Sequence, residues 1–491
     1  MSVLSSKERV DGSVARRFGA GTAAYLIGNT ATTILAAVLA PVYTYFLNPE
    51  DYGVVALAQT SIMLFTLLIN FGMPSAPPYF FNRHREDPAL CNETMGTLFT
   101  MRLASTGFLA LAVLGVSYLL CGFILDDPDF PFWPLGLAAV IAAVFDALNQ
   151  FLMAYWRALE LQWRTAIFGI VTACLNAAII LFAIGWMKAG APGQILGTAL
   201  ARTLVGAAAL ALMFQLVRPC WNKQAAQGIF RYILPVLPHG FLMWVLSVSD
   251  RFFLDRLGSN GMAELGLYQF AYVCAGVMQM VVVSANAAWP PVFMDIARHD
   301  ENASERLGRF GSFAILLLAM IACIGILFSR ELIALVAEPH YHASYAFAAV
   351  LILAFFFQGV AMFVGMGIWH VGKTHYVVLV SASGATVSVG LNLLLIPRLG
   401  AMGACITQVG AYITISLVYF LLSQKYLRLH YSVKPLLVAL VLPLSALMTL
   451  WIPQEGFLVP LVVKLLAVAL ILTPVLYLRR TLIKDILSRL K

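Results

Sequence analysis

Two charged residues stand where charge is hardest to keep. Arg202 lies about nine residues into an apolar run that begins near Gly193, roughly 14 Å along a helix. Asp146 lies at a similar depth in another apolar run. A charge at such a depth costs about 2.5–3.5 kcal/mol on insertion scales, so it marks a polar cavity or pathway by default. A guanidinium never loses its charge and bonds oxyanions through two parallel N–H groups, so Arg202 suits a phosphate or a carboxylate. The alternative is a purely structural pair with Asp146, and the two readings are compatible if Asp146 holds Arg202 until such a group arrives.

Other charges are ranked against this pair. Arg251 and Arg256 close a later apolar run beside Asp250 and Asp255. Arg251 and Asp255 are four apart and can share one helix face. The group reads either as a local ion cluster or as a cationic mouth for an anion. Lys464 sits near the end of the last apolar run, where its stem can carry the ammonium to the interface; it is counted with the cationic set. Arg102 is expected to snorkel in the same way. His239 follows Pro235 and Pro238, and two prolines three apart should kink that helix into a hinge. Asn29, Asn70, Asn149, Gln150, Asn176, Asn286 and Asn392 are polar positions that either line a path or bond neighbouring helices.

The elements that must position these residues follow from composition. Apolar types make up 61% of the 491 residues and charged types 11%, against about 25% charged in a soluble domain. Mean hydropathy is +0.87. Most of the surface must therefore face lipid. The net charge of +8 does not indicate nucleic acid, because Lys and Arg fall in short clusters between apolar runs. The seven cysteines are far apart and have no metal-ligand spacing. A span needs about twenty apolar residues, which predicts fourteen: 19–46, 52–79, 97–122, 132–156, 163–187, 193–217, 229–254, 263–289, 309–329, 344–369, 375–396, 401–423, 434–452 and 457–478. The first run is too long for the core of a cleavable leader, so it reads as a span. With residues 1–18 inside, the inner stretches hold twenty-three Lys and Arg, and the outer ones only Lys188, Arg251, Arg256, Arg330 and Arg398. That bias sets both termini in the cytoplasm.

An internal echo divides the spans. DYGVVALA at 51–58 and ELGLYQFA at 264–271 share an acid-x-Gly start, 213 residues apart, and GAPG at 190–193 returns as GAMG at 400–403, 210 apart. The expected organisation is a lobe over 19–217, an inner linker over 218–228, a second lobe over 229–423, two added helices within 434–478 and a basic tail over 479–491. Six spans per lobe give both lobes the same orientation, related by a pseudo-two-fold along the membrane normal. Transporters often place their substrate between such halves.

NPEDYGVVALA (48–58), FRYILPVLPHGFLMWVLSVSDRFFLDRLG (230–258) and ELGLYQFAYV (264–273) together resemble bacterial O-antigen and exopolysaccharide (Wzx-type) flippases. These belong to the multidrug/oligosaccharidyl-lipid/polysaccharide exporter superfamily. The resemblance implies an all-α, MATE-like carrier in the bacterial inner membrane, not an enzyme. It implies that an undecaprenyl-diphosphate-linked glycan moves from the cytoplasmic to the periplasmic leaflet by alternating access. It also implies a polysaccharide polymerase and other assembly proteins as partners. Arg202, Arg251, Arg256 and Lys464 would then form a cationic substrate path. Asp146 and Asp250 would be cavity acids, Asp146 being the one placed to bind a coupling Na+ or H+; no other cofactor or metal is expected. Two alternatives compete. A multidrug exporter of the same superfamily calls for acids at depth, where this chain has more cations. A glycan polymerase or ligase calls for a reactive outer loop, and the best candidate carries Arg330, Glu331, Glu338, His340 and His342.

Overall fold

The structure, a computed structural model, describes residues 31–451 apart from 33, 126, 127, 129, 259, 260, 301 and 374. Lys464, Asn29, the fourteenth predicted span and the basic tail lie outside the described residues. No strand occurs among the described residues, and ten helices are long and apolar enough to cross a membrane. The chain is an all-helical, multi-pass membrane protein. Helix occupies, in whole or in part, thirteen of the fourteen predicted spans.

Local chemistry sets where the helices start. After α1 (Ile34–Phe46), Asn48 accepts the Asp51 N–H at 2.7 Å and Pro49 supplies the first helical residue of α2 (Pro49–Asn70). Asp87 accepts from Ala89 and Leu90 and so opens α4 (Pro88–Leu119), nine residues before the apolar run at 97. Helix α2 ends in two consecutive left-handed residues, Phe71 and Gly72, before the short α3 (Ala76–Arg83). The seventh predicted span is three pieces. Helix α8 (Lys223–Ile233) stops before Pro235, α9 (Val236–Val248) carries Pro238 and His239 in its first turn, and α10 (Asp250–Leu257) follows Ser249.

The remaining helices are α5 (Leu137–Ala158), α6 (Gln162–Leu181), α7 (Gly190–Leu216), α11 (Gly261–His299), α12 (Ala303–Leu327), α13 (Ser329–Val336), α14 (Tyr345–His370), α15 (His375–Tyr426) and α16 (Val433–Leu447). Helix α15 would be about 78 Å long if straight, more than twice the roughly 30 Å hydrocarbon core. Gly400, with φ +54° and ψ −134°, and Pro397 break it between the eleventh and twelfth predicted spans. The chain forms two compact units, one of the described residues to Phe270 with Ser388–Ala404, the other of Ala271–Val387 with those from Cys405.

The two sequence echoes turn out to be the two ends of one repeated contact. Asp51 reaches the start of α7, where its carboxylate accepts the Ala191 N–H at 3.4 Å behind Gly190, a residue at φ +55°. Glu264 does the same for Ala401 at 2.7 Å behind Gly400. Only glycine adopts these backbone angles cheaply, and at Gly400 a methyl group would also lie 2.1 Å from the Glu264 carboxylate. The glycines of the acid-x-Gly starts meet each other. A Cβ on Gly53 would lie 2.1 Å from the Met262 carbonyl, and one on Gly266 would lie 1.8 Å from the Pro49 carbonyl. The partners exchange under the 213-residue offset, as a two-fold contact requires. Replacing a helix-capping acid costs about 0.5–2 kcal/mol. Glu264→Ala is therefore expected to lower the melting midpoint of the detergent-purified protein more than Asp51→Ala, whose bond is longer.

Candidate functional site

Arg202 and Asp146 meet. Helix α5 packs along α7, and at Gly206 the backbones come so close that a Cβ there would lie 2.4 Å from the Phe145 carbonyl. One turn from that contact, Arg202 Nη1 lies 3.2 Å from Asp146 Oδ2. The side chains are 29% and 20% exposed, so the pair borders a space rather than being sealed in the core. That space is a cavity of about 180 Å³ lined by Asp146, Asn149, Thr172, Asn176 and Arg202 with small apolar neighbours. It is large enough for water or a phosphate-sized group. The Oδ1 atoms of Asn149 and Asn176 are buried and have no hydrogen-bond partner among the described residues, so the wall offers unused polar capacity. Thr172 escaped the sequence reading, although it stands one turn before Asn176 on the same face of α6.

The other unit makes the same helix contact without charge. Adding 212 to residues of α5 and 210 to residues of α7 leads to α14 and α15. There Gln358 stands at the place of Asp146 and Tyr412 at that of Arg202, and the Gln358 amide donates to the Tyr412 hydroxyl at 3.3 Å. Ser416, the counterpart of Gly206, donates to the carbonyl of Phe357, the counterpart of Phe145, at 2.9 Å. The packing of these helices is thus served by a neutral bond in one unit. The ion pair in the first unit is an addition that packing does not require.

Arg251 and Asp250 are placed differently. Both are buried, Arg251 at 2% exposure, and they pair at 2.7 Å. The guanidinium also donates to the Ser247 carbonyl at 2.9 Å and to Gln269 Oε1 at 3.2 Å, and it lies over the Tyr268 ring. Tyr268 in turn donates its hydroxyl to Asp250. This network ties α10 to α11. It presents no open mouth, in contrast to Arg256, which is exposed on the last turn of α10.

Arg102 corrects a sequence expectation. It does not snorkel; it is fully buried, donates Nη1 to the Ile69 carbonyl at 3.1 Å and lies over the Phe151 ring at 5.8 Å. The break after Asn70 leaves the negative end of α2 inside the protein, and a cation satisfies that end. At the outer-loop cluster, His342 bonds the Ala337 carbonyl at 3.1 Å and His340 lies against Tyr341. Arg330 lies over the Tyr345 ring. No group of three or more His, Cys, Asp or Glu that could hold a metal occurs among the described residues.

Comparison with known proteins adds to this geometry. Residues 18–297 match the model of the family described as polysaccharide biosynthesis protein. No curated protein matches the chain. Among solved structures, the chain is similar to the lipid II flippase MurJ in an inward closed conformation, at TM-score 0.70 and 12% identity over 94% of this chain and 99% of that one. It is similar to a mutant of the Vibrio cholerae MATE transporter VcmN, at 0.58 and 16% over 85% and 98%. An inward-facing MATE family multidrug resistance transporter of the MOP superfamily gives 0.63 and 15% over 82% and 97%. At these identities the likeness establishes a shared fold.

Proposed function

The chain belongs to the polysaccharide biosynthesis protein family, and from that premise we propose that it carries a lipid-linked glycan across the bacterial inner membrane. The substrate is an undecaprenyl-diphosphate-linked repeat unit of an O-antigen, capsule or exopolysaccharide. It passes from the cytoplasmic to the periplasmic leaflet by alternating access of two six-helix lobes, with both termini in the cytoplasm. The observation that carries this reading is the largely buried Asp146–Arg202 pair on a polar cavity in an apolar helix bundle. A diphosphate competes with the carboxylate for the guanidinium, because both accept its two parallel donors. Asp146, when released, is the acid to which a coupling Na+ or H+ binds. The family match and a guanidinium on the cavity wall favour an anionic lipid-linked glycan over a multidrug cation.

Complementation tests this directly. A strain lacking its own O-antigen flippase should recover surface polysaccharide when it expresses this chain; failure at normal protein levels would sink the reading. A polymerase or ligase would depend on the outer cluster. His340→Ala with His342→Ala is expected to leave complementation within about twofold of wild type, because a transporter needs no proton transfer there.

A further inference from the structure

A chain of hydrogen bonds that ends on Asp146 begins at the break in α2. Asn70, the last residue of α2, donates its side-chain amide to Gln150 Oε1 at 2.8 Å. Gln150 donates Nε2 to Asp146 Oδ2 at 3.0 Å. The same carboxylate oxygen lies 3.2 Å from Arg202 Nη1. Chemistry fixes the direction of this chain. An ionised carboxylate only accepts, so Gln150 must turn its NH₂ toward Asp146, and its oxygen then needs the donor that Asn70 provides. Asp146 and Gln150 are four residues apart on α5, one turn along the same face.

We propose that Gln150, oriented by Asn70, is a positioning residue that sets how readily Asp146 gives up Arg202 to the anionic group of the substrate. The inference rests on the function proposed above and names the control of its site. When Arg202 leaves, it strands a carboxylate that is four-fifths buried. The donors that stay behind decide how costly that is. Gln150 stays behind. Without it, Arg202 becomes the carboxylate's principal donor, the pair tightens and the guanidinium is less available. Asn70 acts one step further back. If its N–H is removed, the Gln150 amide is free to turn over and present oxygen to oxygen.

The position of Asn70 makes this hold depend on α2. Ile69 beside it is gripped by Arg102, and Phe71 and Gly72 after it are left-handed. Yet Asn70 Oδ1 and the Nε and Nη2 atoms of Arg102 are buried with no hydrogen-bond partner among the described residues. A joint with three unsatisfied polar atoms is not in its best-bonded arrangement.

The test is a titration of the detergent-purified full-length protein with undecaprenyl diphosphate, with a melting midpoint recorded for each variant. Gln150→Leu is expected to weaken binding about tenfold. Asn70→Ala should weaken it about threefold, and should add nothing in the Gln150→Leu background. In the Asp146→Ala background neither change should matter, because Arg202 is already free. An unchanged affinity for Gln150→Leu, or an undiminished effect of Asn70→Ala in either background, overturns the relay. Should Gln150→Leu fail to accumulate, Asn70→Ala alone and combined with Asp146→Ala decide the matter by the same rule. An unchanged affinity for Arg202→Ala overturns instead the functional reading beneath it.

Discussion

Replacing Asp146 by Gln and Arg202 by Tyr together is expected to yield a folded protein that no longer transports. The chain already uses that neutral pair at the equivalent contact, Gln358 with Tyr412. Expression level and melting midpoint should therefore stay near wild type. Export of surface polysaccharide in the complementation strain should fall at least tenfold, since each charge-assisted bond to a diphosphate contributes about 1.5–3 kcal/mol. The single change Arg202→Ala is less informative. It leaves an unpaired acid, which costs up to about 3–5 kcal/mol when fully buried and less here, where Asp146 keeps a fifth of its surface exposed. The double substitution separates loss of function from loss of fold. Full export by the double variant would sink the cationic-site reading and leave the fold untouched.

Much of this site was legible because apolar helices leave few places for charge. Arg202 and Asp146 stand out against their runs, and their depths match, so the pairing could be read from position alone. The echoes were legible too, as Gly at two pairs of helix starts, but their meaning was not. Nothing in the letters says that Asp51 caps α7 or that Gly53 lies on Gly266; those are contacts across more than a hundred residues. Hydropathy also misses capping, which is why α4 begins at Pro88 under Asp87 rather than at 97. Arg102 was misread for a related reason. A snorkelling argument assumes an intact neighbouring helix, whereas α2 ends inside the protein and creates a buried demand for positive charge. The sequence left Arg251 open between a local ion cluster and a cationic mouth, because it does not show that three consecutive short helices fold it inward against Gln269 and Tyr268.

Gly266→Ala is expected to destabilise the protein more than any other single methyl addition to α2 or α11. The added carbon would lie 1.8 Å from the Pro49 carbonyl oxygen and 2.7 Å from its carbon. Those atoms are backbone and cannot rotate away, so the two helices must part by roughly 1.5 Å to restore ordinary contact distances. Overpacking of this kind costs about 1–3 kcal/mol, and a backbone obstacle puts the effect at the upper end. Gly53→Ala should follow closely, with its carbon 2.1 Å from the Met262 carbonyl oxygen. Because both methyl groups intrude on one crossing, the first opens the gap that the second enters. The double variant should therefore lose clearly less than the sum of the two, a coupling expected only between touching sites. Gly115→Ala in α4 provides the control: no atom lies within 4 Å of the added carbon, and helix propensity favours Ala over Gly by about 1 kcal/mol. Melting midpoints of the four purified variants check the set. Additive losses at Gly53 and Gly266 would show that the two glycines do not share one reciprocal contact, and the pseudo-two-fold read from the 213-residue offset would then lose its physical basis.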